Sequence, residues 1–253
     1  MALVESWTGL TPLAALAAAL MTCGAAFVRG LTGFGMAIIL VPLLGMLIAP
    51  GQAVVVGLIL QLLIGPVGLG IILREAHRAS ALPIGALAML ATPLGMLALT
   101  LVSPDVARLL IAIIALAAFA LMLLPQHAAG HRPGPAMISA TGVASGILTG
   151  FAAMPGPPVV PFYLRQQIAP GEARASMMLI FFATAIAGTL AALVTGLAGH
   201  RELALSLLLL VPMLIGNTLG ARLFGQIPDP VWRGVVGVVL GVAGISALVR
   251  LLG

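Results

Sequence analysis

Two short stretches of this chain hold residue types that could bind a charged solute inside an apolar protein. The first is Phe27-Val28-Arg29-Gly30-Leu31-Thr32-Gly33-Phe34-Gly35. Each glycine weakens a helix by about 1 kcal/mol relative to alanine, so three of them in so short a stretch predict a break. A helix restarting after Gly33 or Gly35 aims unpaired backbone N–H groups and the positive end of its dipole into the space before it, which favours an anion. Arg29 stands beside this break with no acidic residue near it in sequence. It reads either as a cation for that anion or as an arginine that snorkels to the membrane interface. The second stretch is Thr149-Gly150-Phe151-Ala152-Ala153-Met154-Pro155-Gly156-Pro157-Pro158. It is more broken still, because Pro157 and Pro158 cannot donate helical hydrogen bonds and suit the first turn of a new helix. The candidate ligands are therefore Arg29, Thr32, Gly33, Phe34 and Gly35 with Thr149, Gly150, Phe151, Pro155, Gly156 and Pro157, joined by Asn217. Against this stands a packing account, in which the glycines let helices approach and Thr32, Thr149 and Asn217 cross-link them. Gln61 is a further buried-polar candidate, and Tyr163 reads as an interface marker.

Bond-breaking chemistry finds no comparable support. All six carboxylates (Glu5, Glu75, Asp105, Glu172, Glu202, Asp229) fall in or beside predicted loops, as do His77, His127, His131 and His200. An intramembrane serine protease needs a histidine base near its serine, and the apolar runs offer none. There is no phosphate-binding GxxxxGK[ST], no Cys/His cluster and no dinucleotide fingerprint. No catalytic residue, metal ligand or cofactor is expected, and the single Cys23 reads as a small hydrophobe.

The elements that must hold those stretches are membrane helices. Of 253 residues, 62% are hydrophobic and 7% charged, where a soluble domain averages roughly a quarter charged. Eleven arginines and no lysine leave a net charge of +5. They are scattered singly between apolar runs, which fits a bias of cationic loops rather than a nucleic-acid surface. The runs are 10–28, 31–49, 52–73, 82–102, 106–124, 136–152, 155–164, 173–197, 203–224 and 231–251. Spanning takes about 20 apolar residues, so about eight full spans are expected, with irregular or re-entrant helices over 10–49 and 136–164. Residues 1–28 carry Glu5 and no basic leader, and read as a retained segment. The fold expected is all-α and polytopic, with residues 1–253 forming one transmembrane domain.

An internal repeat organises the runs. Leu31-Thr32-Gly33-Phe34 recurs as Leu148-Thr149-Gly150-Phe151, Val41-Pro42 as Val160-Pro161, and Pro50-Gly51 as Pro170-Gly171. Leu94-Gly95 recurs as Leu219-Gly220, and Val106-x-Arg108 as Val231-x-Arg233. The offsets rise in order from 117 to 125. Repeat one is 10–125 and repeat two 136–251, joined by the polar stretch 126–135. Five segments per repeat make the second copy enter from the opposite face, an inverted-topology 5+5 arrangement recurrent in secondary transporters. Counting faces, Arg29, Arg74, Arg78, Arg132, Arg165, Arg174, Arg222 and Arg233 share one side, and Arg108, Arg201 and Arg250 the other. The cationic majority predicts a cytoplasmic first group, with both termini periplasmic in a bacterial inner membrane.

The glycine motif over Gly30–Gly35 together with Gly150-Phe151-x-x-x-Pro155-Gly156-Pro157-Pro158 resembles the sulfite exporter TauE/SafE family of membrane permeases, and the resemblance spans the whole chain. It implies a secondary transporter for a small anion, sulfite or an organosulfonate or another oxidised sulfur compound, bound at broken helices near the midplane. The residues themselves also admit an anion channel or a non-transporting assembly or cofactor-insertion partner. The partners expected are a small inorganic or organic anion and the lipid bilayer, with a homo-oligomer left open and no nucleic acid.

Overall fold

A computed structural model describes residues 2–123, 133–166 and 168–223. The expected last segment 231–251, with Arg233 and Arg250, lies outside the described residues, as do Asp229, Arg132, His127, His131 and most of the polar connection. The described chain is helical: α1 (Ala2–Thr8), α2 (Pro12–Thr32), α3 (Met36–Leu44), α4 (Pro50–Ile64), α5 (Leu69–Glu75), α6 (Arg78–Leu101), α7 (Pro104–Leu123), α8 (Pro135–Ala152), α9 (Gly156–Leu164), α10 (Pro170–Val194) and α11 (His200–Arg222). Proline opens α2, α4, α8 and α10 at the first turn, where its missing N–H has no helical partner to lose.

Six of these helices, α2, α6, α7, α8, α10 and α11, are long and apolar enough to cross a membrane among the described residues, or seven if α4 and α5 together count as one. The expectation of about eight also counted 231–251, which lies outside the described residues. The runs 31–49 and 155–164 are half-length helices of nine residues each, α3 and α9. The run 52–73 bends by 83° between α4 and α5, at Gly65-Pro66. At the first irregular boundary, α2 continues through Arg29-Gly30 to Thr32.

The polarity of the surface is inverted relative to a soluble protein. Leu13, Leu90 and Leu101 are more than three-quarters exposed, while Thr22, Thr92, Ser145, Thr149 and Ser206 are at most 1% exposed. Thr22, Thr92, Thr149 and Ser206 each donate to the carbonyl four residues back at 2.7 Å, so their polarity is satisfied within their own helices. Lipid is the solvent such a surface suits. The protein is a polytopic membrane protein.

Two long seams hold the helices together. In the α6–α8 seam, a side chain on Gly150 would strike the Thr92 carbonyl, and one on Gly95 the Ile147 carbonyl. In the α2–α11 seam, a side chain on Gly30 would strike the Asn217 carbonyl, and one on Gly220 the Phe27 carbonyl. The seams are the same seam twice. Gly30 corresponds to Gly150 and Phe27 to Ile147 at an offset of 120, and Thr92 to Asn217 and Gly95 to Gly220 at 125. Small residues let backbones meet where water provides no hydrophobic drive.

The two half-helices return to the side from which their partners came. Thr8, Ile48, Gln52 and Glu202 line one small cavity, so the start of α2, the exit of α3 and the starts of α4 and α11 share one side, the near side. At the far side, the His77 N–H donates to Ser176 Oγ, and the Ser80 hydroxyl meets Tyr163 OH at 3.0 Å. The starts of α6 and α10 and the end of α9 therefore share that side. Tyr163 is 1% exposed and thus a core residue at the far side; its apolar neighbours on α9 and α10 enclose the ring, and Ser80 satisfies its hydroxyl.

Candidate functional site

At the first break, α2 ends on Gly33 (φ 85°) and α3 begins after Gly35 (φ 91°). Both angles lie in the left-handed region that glycine enters without steric cost. The Gly33 N–H is not available to a ligand, because it donates to the Arg29 carbonyl and closes the helix. Thr32 is committed as well. Its hydroxyl lies 2.9 Å from the Val28 carbonyl and 2.8 Å from the Phe34 carbonyl, and accepts from the Phe34 N–H. Further on, the first-turn N–H groups of α3, at Met36, Ala37 and Ile38, have no acceptor within their own helix.

The second break has the same form with different chemistry. α8 ends on Ala153, whose φ of 57° is the one positive value among described non-glycine residues, and α9 follows from Pro155. Such a conformation costs roughly 1–2 kcal/mol for an L-residue and persists where surroundings enforce it. The Ser145 hydroxyl donates to the Pro155 carbonyl at 3.0 Å. Proline at 155, 157 and 158 removes three backbone donors, so α9 presents its dipole but few N–H groups.

The breaks meet. One cavity is lined by Arg29, Phe34, Gly35, Met36, Ala37 and Ile38 from the first, by Met154, Pro155 and Gly156 from the second, and by Gln61 of α4 and Phe181 of α10. Four pairs of these residues are separated by 120 positions: Phe34 and Met154, Gly35 and Pro155, Met36 and Gly156, Gln61 and Phe181. Two helix N-termini running in opposite senses thus converge on one point, related by the spacing that relates the two seams. The space there for the centre of a water molecule is about 20 Å³, enough for one water. A four-atom oxyanion enters only if the walls part.

Arg29 dominates the electrostatics. It is 9% exposed, and its Nη1 donates to Asn217 Oδ1 at 2.8 Å. Arg174 lies close enough to repel it. The Arg174 Nη2 donates to the Gly30 carbonyl at 2.9 Å, and its stem covers Gly33. Arg174 is in turn attracted by Glu75, whereas no carboxylate reaches Arg29 within ion-pair distance among the described residues, where the pair present is Arg108 with Asp105. A buried cation satisfied by an amide oxygen and facing a second cation is costly to maintain.

Of the residues singled out in the sequence, the cavity gathers Arg29, Phe34, Gly35, Pro155 and Gly156. Asn217 stands behind them as the partner of Arg29. Thr32 and Gly33 shape the first break without lining the cavity, and Pro157 is buried in the first turn of α9. Thr149 and Gly150 are placed elsewhere: the Thr149 hydroxyl bonds to the Ser145 carbonyl, Gly150 sits in the α6–α8 seam, and Phe151 is in the apolar core. The reason is register. Equating Thr32-Gly33 with Thr149-Gly150 uses an offset of 117, whereas seam and cavity share 120, and three residues are most of a helical turn. Gln61, Phe181, Met36 and Met154 complete the site. Only Gln61, a lone amide in an apolar run, had a signal in the sequence.

No curated protein and no solved structure matches the chain. Over residues 17–247 it does match the family described as Sulfite exporter TauE/SafE, which takes in the α2–α3 and α8–α9 breaks and both seams. A polytopic helical protein with paired broken helices enclosing a buried cation fits that description, and the chain belongs to the Sulfite exporter TauE/SafE family of membrane transporters.

Proposed function

We propose that this protein is a secondary permease for a small anion of oxidised sulfur, sulfite or a short organosulfonate, bound between the α3 and α9 N-termini. The observation that carries the reading is Arg29, a buried guanidinium without a carboxylate partner among the described residues, lining the cavity where the two breaks converge. An anion there would receive charge-assisted hydrogen bonds from Arg29 and the N–H groups of Met36, Ala37 and Ile38. It would also sit at the positive ends of two helix dipoles. The reciprocal seams and the 120-residue pairing support an inverted repeat, in which one half rocks against the other to open the site alternately. Among the described arginines outside the cavity, Arg74, Arg78, Arg165, Arg174 and Arg222 lie toward the far side and Arg108 and Arg201 toward the near side. This excess supports a cytoplasmic far side and a periplasmic near side in a bacterial inner membrane. The test is counterflow in proteoliposomes with a panel of sulfite, thiosulfate, sulfonates and carboxylates. Saturable exchange of sulfur oxyanions accelerated by internal substrate is expected. Exchange of carboxylates alone would overturn the substrate class, and flux without counterflow would make the protein a channel.

A further inference from the structure

Gln61 is the polar side chain that lines the same cavity as Arg29 and whose role the anion reading leaves open. It is 9% exposed. Its Nε2 donates to the Ala153 carbonyl at 3.0 Å and to the Gly57 carbonyl at 3.3 Å. Two carbonyl oxygens at that end fix the amide orientation, since only the nitrogen can satisfy both. Both N–H groups are thereby used on the α8–α9 break and on Gln61's own helix. The oxygen Oε1 receives no bond from the described residues, and it is the polar atom Gln61 has left to offer the cavity it lines. A lone acceptor is an odd wall for a bare anion, because its lone pairs repel those of an unprotonated oxygen.

We propose that the site selects an oxyanion that still carries one proton on oxygen. This rests on the anion reading above and narrows it, from sulfite and short organosulfonates together to oxyanions that keep an O–H, hydrogensulfite among them and simple sulfonates excluded. The negative oxygens face Arg29 and the first-turn N–H groups of α3, while the one O–H donates to Gln61 Oε1. The residue paired with Gln61 across the repeat is Phe181, which has no acceptor, so the site accommodates one such proton and not two. A dianion without an O–H leaves Oε1 buried and unpaired, and so does a monoanion without one. Sites built to hydrogen-bond a substrate hydroxyl reject analogues lacking it strongly. No carboxylate lines the cavity, so the proton crosses on the substrate itself. Each turnover then moves one anion and one proton together, and the pH difference across the membrane contributes to the driving force.

The experiment is competition against labelled sulfite in proteoliposome counterflow at mildly acidic pH. The competitors are hydrogenselenite (a monoanion with an O–H), methanesulfonate (a monoanion without one) and sulfate (a dianion without one). Hydrogenselenite should compete at least about tenfold better than either of the others, a conservative figure for loss of a buried hydrogen bond. In Gln61→Met, hydrogenselenite and methanesulfonate should fall within about threefold of each other, as expected once the acceptor is gone. Equal competition by methanesulfonate and hydrogenselenite in the unaltered protein would overturn the proposal, whatever the folding of the variant. So would an undiminished preference in folded Gln61→Met. If labelled sulfite shows no counterflow at all, sulfite is not the substrate and the proton preference falls with it, while the panel above decides the transport reading separately.

Discussion

Arg29 has an amide oxygen for a partner and another arginine for a neighbour, an arrangement that makes little sense as a device for stability. A buried charge with no opposite charge within ion-pair distance among the described residues carries a desolvation cost that little repays. Arg29→Gln should therefore melt no lower than the parent protein in detergent, while losing anion binding. A clear fall in melting temperature would mean that Arg29 is structural. Thr32 should behave in the opposite way. Its hydroxyl serves the Val28 carbonyl and the Phe34 N–H, so Thr32→Val should destabilise the break by about 1–3 kcal/mol, with Thr32→Ser restoring most of the loss. Arg29 was legible in the sequence because an arginine beside a glycine cluster in an apolar run is expensive wherever it lies. The duty of Thr32 was not legible, because a hydroxyl near a break serves equally to cap the chain or to bind a solute, and the choice depends on where α3 turns.

The breaks were visible at the scale of elements because Gly and Pro act locally, through φ and missing donors. What a given glycine does at a break depends on its tertiary neighbour. Gly150 and Gly156 lie six residues apart in one motif, yet a Cβ on Gly150 would enter the backbone of α6, while one on Gly156 would meet side chains no closer than 3.7 Å. Gly150→Ala should thus lose folded protein, by about 1–3 kcal/mol for overpacking, as read by thermal melting. Gly156→Ala should fold normally and impair transport by narrowing the cavity. Equal stability of the two variants would contradict this division. Half-length helices are hard to tell from full spans for a related reason. The run 31–49 is apolar enough to cross a bilayer, but its helix stops at Leu44 and its chain returns to the side where α4 begins. Hydropathy measures length in residues and carries no information on direction. Register failed likewise, since Thr-Gly-Phe recurs by identity at one spacing while the helices pack at another.

Among the described residues the near side and far side are reciprocal: α2 packs on α11 as α8 packs on α6, and each half-helix returns to its side of origin. Ordered matches in the sequence led to the expectation of a repeat, and the composition left lipid as the solvent. The pairing of seams required the fold, because carbonyl contacts of glycine leave no trace in residue identity. Orientation can be checked with single cysteines in a background where Cys23 is replaced. Arg201→Cys should react with an impermeant thiol reagent in intact cells and Arg74→Cys only after permeabilisation; the reverse pattern would invert the orientation. The central claim is that Arg29 holds the transported anion, and counterflow of labelled sulfite in proteoliposomes of the parent protein and Arg29→Gln tests it most directly. Loss of a charge-assisted hydrogen bond worth about 1.5–3 kcal/mol predicts a fall in apparent affinity of about tenfold or more, with the variant still folded. Equal affinity and rate in the two proteins would show that the buried cation has no part in binding and that the cavity between α3 and α9 is not the site.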